Sequence, residues 1–465
     1  MRFLIRLFIF IVFFGQAVAA QTVQDVVQQF LPSGSHSVAL LDLKTGKIVA
    51  SSNARKSLPP ASVMKVPTTL YALKALGSDY RFQTRVLFST TQLQDGVLKG
   101  DLILAGGGNP TLDTDGLARM AADLADLGLK RVEGDFLVYG GALPYQKFLD
   151  PDQLDYVGYN PSISGLNLNF NRVFFEWKAS GGSYTLGMSA KTRAYKPPIR
   201  GIKMGIANRK TPLYKHSSAN GIEKWTVAGQ ALGGGGNRWL PVRDPDAYAG
   251  EVFRYFAAQK GIQLGPAKTL KSAPKGTVVA IDHSASLVKQ LRAMLRFSTN
   301  LSAETIGMRA SQKRGKKIGG TRDSARAMEG WFGQTGAKFF DHSGLNVKSR
   351  LTAEAMVRFL AESDAQRHVR PLLKEVELRN LEWKKSPVSG AKIVAKTGTL
   401  NFTSALAGYI QTPSGGSYAF AIFTHDAKKH GAIPKAQRDR APGAKTWARE
   451  SRILQHQLLR VWAGR

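Results

Sequence analysis

The sequence contains no cysteine among its 465 residues. This absence excludes disulfide bonds, iron–sulfur clusters, cysteine-ligated zinc and catalysis by a thiol. Acidic residues are scarce, with 33 Asp and Glu against 65 Lys and Arg, and the formal net charge is +32. Such a charge favours an anionic partner, although it says nothing about fold or chemistry. The chain is long enough for several domains of about 100–200 residues each.

Long apolar runs are also missing, because no segment approaches the roughly 18 apolar residues that a membrane-spanning helix needs. Leu7–Phe14 is an apolar run of eight residues, which follows Arg2 and Arg6 and precedes small residues at 17–20. This order is typical of a secretory signal peptide with its cleavage site. We therefore predict that residues 1–20 are a cleaved signal peptide. An exported protein is not expected to bind nucleic acid.

The two ends of the chain have sequence patterns that differ from those of the middle. Hairpin, strand and helix patterns occupy the ends, at 36–50, 61–76, 286–314, 351–362, 392–396, 404–411, 418–425 and 444–462. Residues 149–238 are instead rich in Gly, Asn, Ser and Tyr, with alternating strand patterns such as 165–170. We predict one discontinuous domain, in which strands from both ends form an antiparallel sheet covered by helices, interrupted by a long insertion.

The insertion is strongly basic over residues 189–225. This segment has nine Lys and Arg residues and a single acid, Glu223. Two interpretations stay open: a face for an anionic polymer, or simply a solvated loop face.

A Ser-x-x-Lys motif, Ser62–Lys65, opens the predicted helix at 61–76. Residues three apart share one helical face, so the hydroxyl and the amine can meet. The positive end of the helix favours a nucleophilic alkoxide and a developing oxyanion. Burial and a nearby second cation would lower the pKa of the amine and let it act as a base.

The motif is weak alone, because the chain has four Ser-x-x-Lys, three Ser-x-Asn and two Lys-Thr-Gly matches. Context selects among them, since several matches lie in linkers or in an ordinary hairpin turn. Only Ser62, Ser298 and Lys396 combine the chain order, setting and separation that three walls of one cleft require.

In that order, the three motifs resemble those of β-lactamases and penicillin-binding proteins. Flanking segments sharpen the resemblance, at 60–65, 100–112, 341–345, 350–352 and 396–399. They are similar to the D-alanyl-D-alanine carboxypeptidase/endopeptidase family, which comprises the type-four, low-molecular-mass class C penicillin-binding proteins. The similarity covers nearly the whole mature chain.

The resemblance implies an α+β, multidomain fold built on a penicillin-recognising serine hydrolase domain. This β-lactamase/transpeptidase-like domain would comprise residues 21–78 and 269–465, with an antiparallel sheet flanked by helices. A first inserted domain would comprise 79–148 and 238–268, and a basic second domain, 149–237, would be nested within it. The implied location is the periplasm, and no cofactor or metal is implied.

The implied activity is that of a serine DD-carboxypeptidase, with DD-endopeptidase activity on peptidoglycan stem peptides. Ser62 would attack the carbonyl between the terminal D-alanines, and Lys65 would take its proton. Ser298 would relay a proton to the leaving amine, Asn300 would hold substrate and Lys65, and Lys396 would supply the second cation. β-Lactams would acylate the same serine. An anionic cell-wall or outer-membrane surface would suit the basic insertion.

Substrate binding would involve the Lys-Thr-Gly motif and the residue after it. Thr397, Gly398 and Thr399 would form this part of the site, with the two threonines and Lys396 binding the terminal carboxylate. The backbone N–H groups of Ser62 and Thr399 would form the oxyanion hole. Water would then release the acyl-enzyme.

Three positions depart from the pattern of the family. Thr299 stands in the Ser-x-Asn motif where Asp is commoner, and His342 stands where the family usually has Gly. Pro67 lies just past Lys65, where its ring could tighten or kink the helix. The letters of Asp341-His342-Ser343 spell a catalytic triad, but adjacent side chains cannot easily form one, and we predict a structural loop there.

Two alternative functions stay open. A β-lactamase would need a dedicated carboxylate for deacylation, usually within Glu-x-x-Leu-Asn, and no such stretch lies between Asn300 and Lys396. A non-catalytic peptidoglycan-binding protein would use the basic insertion alone and would be free to lose Ser62 and Lys65. Covalent labelling by penicillin separates the three classes.

Overall fold

The computed structural model describes residues 22–465, so the predicted signal peptide lies outside the described residues. Within that range the helices are α1 (Val23–Phe30), α2 (Lys65–Leu76), α3 (Thr114–Asp126), α4 (Pro245–Gln259), α5 (Leu287–Phe297), α6 (Asn300–Lys313), α7 (Thr321–Phe332), α8 (Ala353–Ala361), α9 (Ser363–His368), α10 (Ala427–Gly431) and α11 (Ala444–Ala463). Among these helices, none has both the length and the apolar character needed to cross a membrane.

The strands of the described residues are β1 (Ser35–Asp42), β2 (Ile48–Ser52), β3 (Gln83–Phe88), β4 (Leu93–Gln94), β5 (Val97–Leu98), β6 (Leu102–Gly106), β7 (Arg131–Val132), β8 (Phe136–Tyr139), β9 (Arg172–Ser180), β10 (Ser183–Ser189), β11 (Ile202–Ala207), β12 (Tyr214–Ala219), β13 (Ile222–Ala228), β14 (Gly235–Pro241), β15 (Ala267–Thr269), β16 (Thr277–His283), β17 (Lys374–Glu375), β18 (Lys392–Leu400), β19 (Thr403–Gln411) and β20 (Ser417–His425).

The two chain ends meet in one antiparallel sheet of six strands, in the order β17-β18-β19-β20-β1-β2. The first long strand pairs with the last, with Ala39 opposite Ala421. This pairing confirms the predicted joining of strands from both ends. It also makes β18, which carries the Lys-Thr-Gly motif, an inner strand of the sheet.

Helices cover both faces of this sheet, because side chains alternate along each strand. Ala39 and Leu41 pack on the face that carries α2, α5, α6, α7 and α8. Val38 and Leu40 pack on the opposite face, against α1 and α11. The closing helix therefore buries its apolar face on the sheet, as its pattern favours over a membrane contact.

The long insertion forms sheets of its own. A five-stranded sheet, β15-β8-β6-β3-β16, shares a core with α3 and α4, and two three-stranded sheets occupy residues 172–241. Strand β16 (Thr277–His283) pairs with β3 (Gln83–Phe88) in this five-stranded sheet. The chain therefore leaves the insertion after the predicted boundary between the first inserted domain and the hydrolase domain, at 268/269. The division into nested domains remains a proposal.

Two predicted elements differ from the structure. Residues 165–170 are not a strand, because side-chain amides of Asn167 and Asn171 accept hydrogen bonds from the nearby backbone N–H groups of Ser164 and Leu168. Such bonds compete with strand pairing. The predicted helix at 286–314 is two helices, α5 and α6, separated where Ser298 adopts a left-handed conformation with φ 58°.

Candidate active site

The candidate nucleophile lies in a tight turn at the entrance to α2. Residues 61–64 form a short 3-10 helix, and the α-helix begins at Lys65. Pro67 therefore lies in the first turn of α2, where the N–H it lacks would have no partner within the helix. The α-helix continues across Pro67 from Lys65 to Leu76.

Strand β18 passes very close to the nucleophile. A Cβ on Gly398 would lie 2.8 Å from both the Pro60 carbonyl oxygen and the Ser62 backbone nitrogen. Only glycine allows the strand and the turn to approach so closely. The approach places Thr399, the next residue, on the cleft that contains Ser62.

The amine of Lys65 is completely buried and touches three oxygen atoms. Its Nζ lies 3.0 Å from Ser62 Oγ, 2.9 Å from Asn300 Oδ1 and 2.7 Å from the Ser343 carbonyl oxygen. The carbonyl and amide oxygens can only accept hydrogen bonds. A neutral amine would donate its two hydrogens to them, which leaves its lone pair for the hydroxyl proton of Ser62.

The protein lowers the pKa of Lys65 to about 7, chiefly by burial and then by the positive charge of Lys396. The carboxylates of Asp341 and Glu304 oppose the shift. A large part of the Lys65 population is therefore neutral near neutral pH, which a general base requires.

Lys396 is the second buried cation of the site. Burial, followed by the charge of Lys374, lowers its pKa to about 8. Its Nζ donates a 2.7 Å hydrogen bond to the Thr397 carbonyl oxygen. Lys396 and Gly398 are buried whereas Thr397 and Thr399 are exposed, as the alternation of a strand dictates.

Asn300 connects Lys65 to the insertion. While its Oδ1 accepts from Lys65, its Nδ2 donates a 3.0 Å hydrogen bond to the Tyr159 carbonyl oxygen. Because that carbonyl can only accept, the two contacts fix the orientation of the amide. The insertion therefore helps to hold a residue that contacts the candidate base.

A cleft of about 420 Å³ opens over these groups. Among the residues that line it are Ser62, Ser298, Asn300 and Thr399, with Tyr159 from the insertion. The break between α5 and α6 turns Ser298 toward this cleft. The structure thus places five predicted residues at one cleft. Ser62, Ser298 and Asn300 line it, and the buried amines of Lys65 and Lys396 lie beneath it.

Sequence reasoning missed the buried layer that supports Lys65. Glu304 accepts hydrogen bonds from the backbone N–H groups of His342 and Ser343, and so holds the carbonyl that contacts Lys65. Asp341 accepts from the N–H groups of Gly344 and Asn346 in the same loop. Burial raises the pKa of both carboxyls. The four-residue spacing from Asn300 to Glu304, which puts both on one helical face, was the available signal.

His342 does not form a triad with its neighbours. Its Nε2 lies 2.7 Å from Ser324 Oγ, and its fully buried ring stacks near Tyr71 at a centroid distance of 6.2 Å. Burial lowers the pKa of His342 to about 3, so the ring is neutral. The predicted structural loop is what the structure shows.

Gly307 on α6 provides the space for this ring, because a Cβ there would lie 2.3 Å from His342 Cγ. We expect Gly307→Ala to destabilise the protein by about 1–3 kcal/mol through overpacking. Adding His342→Gly should relieve the clash and recover part of the lost stability. Chemical denaturation of the wild type, the two single variants and the double variant measures this non-additivity in the free energy of unfolding. Strictly additive effects would show that the two residues do not conflict.

Residues 19–448 match the model of the D-Ala-D-Ala carboxypeptidase 3 (S13) family. The chain belongs to this family. It is similar to a D-alanyl-D-alanine carboxypeptidase of Actinomadura sp. (strain R39), with 26% identity covering 86% of this chain and 79% of that one. It is also 24% identical to the D-alanyl-D-alanine carboxypeptidase DacB of Haemophilus influenzae, over 86% of this chain and 87% of that one.

The fold also matches a solved structure. The crystal structure of penicillin binding protein 4 (dacB) from Haemophilus influenzae superposes with a TM-score of 0.75 at 19% identity, over 95% of this chain and 99% of that chain. This likeness confirms the predicted penicillin-recognising serine hydrolase fold. Family membership identifies the chain as a serine-type D-Ala-D-Ala carboxypeptidase.

Proposed function

We propose that this member of the family releases terminal D-alanine from peptidoglycan stem peptides, and also cleaves D-Ala crosslinks, through an acyl-enzyme on Ser62. The observation that carries the proposal is the contact of Ser62 Oγ with a buried amine whose other two neighbours can only accept hydrogen bonds. The predicted signal peptide supports action in the periplasm.

In the first half of the reaction, Ser62 Oγ attacks the carbonyl carbon while its proton passes to Lys65 Nζ. The backbone N–H groups of Ser62 and Thr399 bind the oxyanion, each worth about 2.7–4 kcal/mol in comparable sites. Ser298, on the same cleft, relays a proton to the leaving amine as the C–N bond breaks. Lys396, Thr397 and Thr399 bind the terminal carboxylate.

In the second half, water attacks the acyl-enzyme and its proton returns through Lys65. The C–O bond to Ser62 breaks, which releases the shortened peptide and restores the hydroxyl. A β-lactam would acylate the same oxygen. In support, a second structure of the Haemophilus influenzae penicillin binding protein 4, with TM-score 0.71 and 20% identity, is described as complexed with a β-lactam.

Two measurements test this function. Incubation of the protein with purified muropeptides, followed by identification of the products, should show loss of one D-alanine from pentapeptides and cleavage of crosslinked dimers. Fluorescent penicillin should form a persistent adduct. Absence of any adduct would favour the non-catalytic binding protein, and rapid turnover of the label would favour a β-lactamase.

We also propose that one face of the basic insertion binds the anionic surface of the wall or outer membrane. In the sheet β11-β13-β12, Lys203 pairs with Lys224, and Lys215 pairs with Thr226. The two-residue period places the three lysines on one face, and all three are exposed. Glu223 points the other way and is only 4% exposed, so it does not neutralise this face.

Replacement of Lys203, Lys215 and Lys224 by Gln should weaken binding to purified sacculi by on the order of tenfold at low salt. Binding of the wild type should fall as salt is added, because salt screens exposed charges. Sedimentation with sacculi across a salt series measures both effects. The matched control replaces Lys313, Lys316 and Lys317, which are exposed elsewhere. Binding that ignores salt, or equal loss in both triples, would contradict the role of this face.

A further inference from the structure

A second groove, of about 860 Å³, lies along the same strand, β18, as the candidate active-site cleft. Thr399 lines the cleft that contains Ser62, whereas Thr397 lines the second groove. Their side chains project from the same side of β18, two residues apart. The two cavities are therefore neighbours along one strand.

The position of Thr397 indicates which part of a substrate the second groove faces. In the proposed reaction the scissile carbonyl lies at the N–H groups of Ser62 and Thr399. The carboxylate of the leaving group is bound by Lys396 and by the side chains of Thr397 and Thr399. The groove beyond Thr397 is therefore on the leaving-group side. A single D-alanine ends at that carboxylate, but the leaving half of a crosslink continues past it.

The groove carries an excess of positive charge. Arg292 and Arg296 lie one turn apart on α5, and both side chains are exposed. Lys374 lies close enough to contribute to the lowered pKa of Lys396. Across residues 22–465, no salt bridge neutralises these three cations.

The acidic residues of the groove do not cancel this charge. Of the two acidic residues that line the groove, Glu377 forms a 2.7 Å salt bridge with Lys385. Glu375 is the other. Arg379 adds a further cation, and its Nη1 donates a 2.8 Å hydrogen bond to the carbonyl oxygen of Trp383. Free carboxylates on a ligand would thus meet a cationic wall.

We propose that this cationic groove, with Arg292 and Arg296 on α5, binds the carboxylate-bearing second stem peptide of a crosslink and so favours cleavage of crosslinks over trimming of single stems. This inference rests on the proposed function and deepens it, because it assigns a subsite to the leaving half of the substrate. The two arginines are positioning residues for that half and do not touch the reacting atoms.

The test compares two substrates on one enzyme: a crosslinked muropeptide dimer and a monomeric pentapeptide muropeptide. In Arg292→Gln/Arg296→Gln, the ratio of kcat/KM for the dimer to kcat/KM for the monomer should fall about tenfold. The change should lie mainly in KM for the dimer. Arg292→Lys/Arg296→Lys keeps the charge and should recover most of the ratio. Added salt should lower the ratio in the wild type more than in the Gln variant.

The matched control, Arg254→Gln/Arg326→Gln, removes two exposed arginines that line neither cavity. An unchanged ratio in the groove variant, or the same fall in the control, would overturn the inference. An equal loss of kcat/KM on both substrates would overturn it as well. The rate of penicillin acylation shows whether such a loss comes from general damage to the active site. Failure of the wild type to release D-alanine from the monomer would instead refute the proposed function itself.

Discussion

Ser62→Ala should abolish release of D-alanine, with a fall in kcat of about 10⁴-fold to 10⁶-fold, as when other serine hydrolases lose their nucleophile. The substitution removes the side-chain oxygen that contacts Lys65 Nζ and lines the same cleft as Thr399. Labelling by fluorescent penicillin should disappear with the activity. Product analysis on pentapeptide muropeptides and gel fluorescence measure the two losses.

The Ser62→Ala protein should remain folded, because the change deletes one side-chain hydrogen bond and no packing atom. Its thermal unfolding curve therefore serves as the check on structure. Ser78→Ala, in the exposed turn after α2, is the matched control and should retain full activity. Persistent D-alanine release by Ser62→Ala would show that another group is the nucleophile.

Lys65→Met should lower the rate of acylation by about 10³-fold or more, within the range that a general base contributes. Methionine fills much of the same buried space but cannot accept the proton of Ser62. In the wild type, acylation should rise with pH through about 7, because only the neutral amine accepts a proton and burial beside Lys396 lowers the pKa of Lys65 to about 7. Stopped-flow acylation by a β-lactam across pH 5.5–9 measures both rate and profile.

The residual activity of Lys65→Met should lose this rise. A wild-type rate that falls as pH increases through neutrality would require the protonated lysine, and so would contradict its role as base. Lys74→Met, at the exposed end of the same helix, is the matched control and should keep the wild-type profile.

The strands and helices that form the six-stranded sheet and its cover were predictable because their patterns are local. The short apolar runs of β1, β19 and β20 and the apolar face of α11 are properties of short segments. Residues 165–170 were mispredicted although the cause is also local, because the side-chain amides of Asn167 and Asn171 accept hydrogen bonds from backbone N–H groups three residues earlier and so override the alternation. The break at Ser298 is a single left-handed residue after α5, which the apolar pattern of 286–314 does not indicate.

The candidate site divides in the same way. Ser62, Asn300 and Lys396 stand out because their chemistry is carried by side chains in short motifs. The carbonyls of Ser343 and Tyr159 contact the same groups through the main chain, and every residue has a carbonyl, so residue type carries no signal for them. Glu304 acts through backbone N–H groups of a loop distant in sequence, which only the folded chain brings to it.

The sequence by itself determined the family, the motif set and the sheet that combines strands from both chain ends. Motif spacing and hydrophobic periodicity are properties of the order of residues along the chain. Tertiary structure alone decided the lowered pKa of Lys65, the compensation between Gly307 and His342, and the cationic groove beyond Thr397. Each of these depends on distances of a few ångströms between residues tens or hundreds of positions apart. Burial and Coulomb interactions act through space, and only the fold sets those distances.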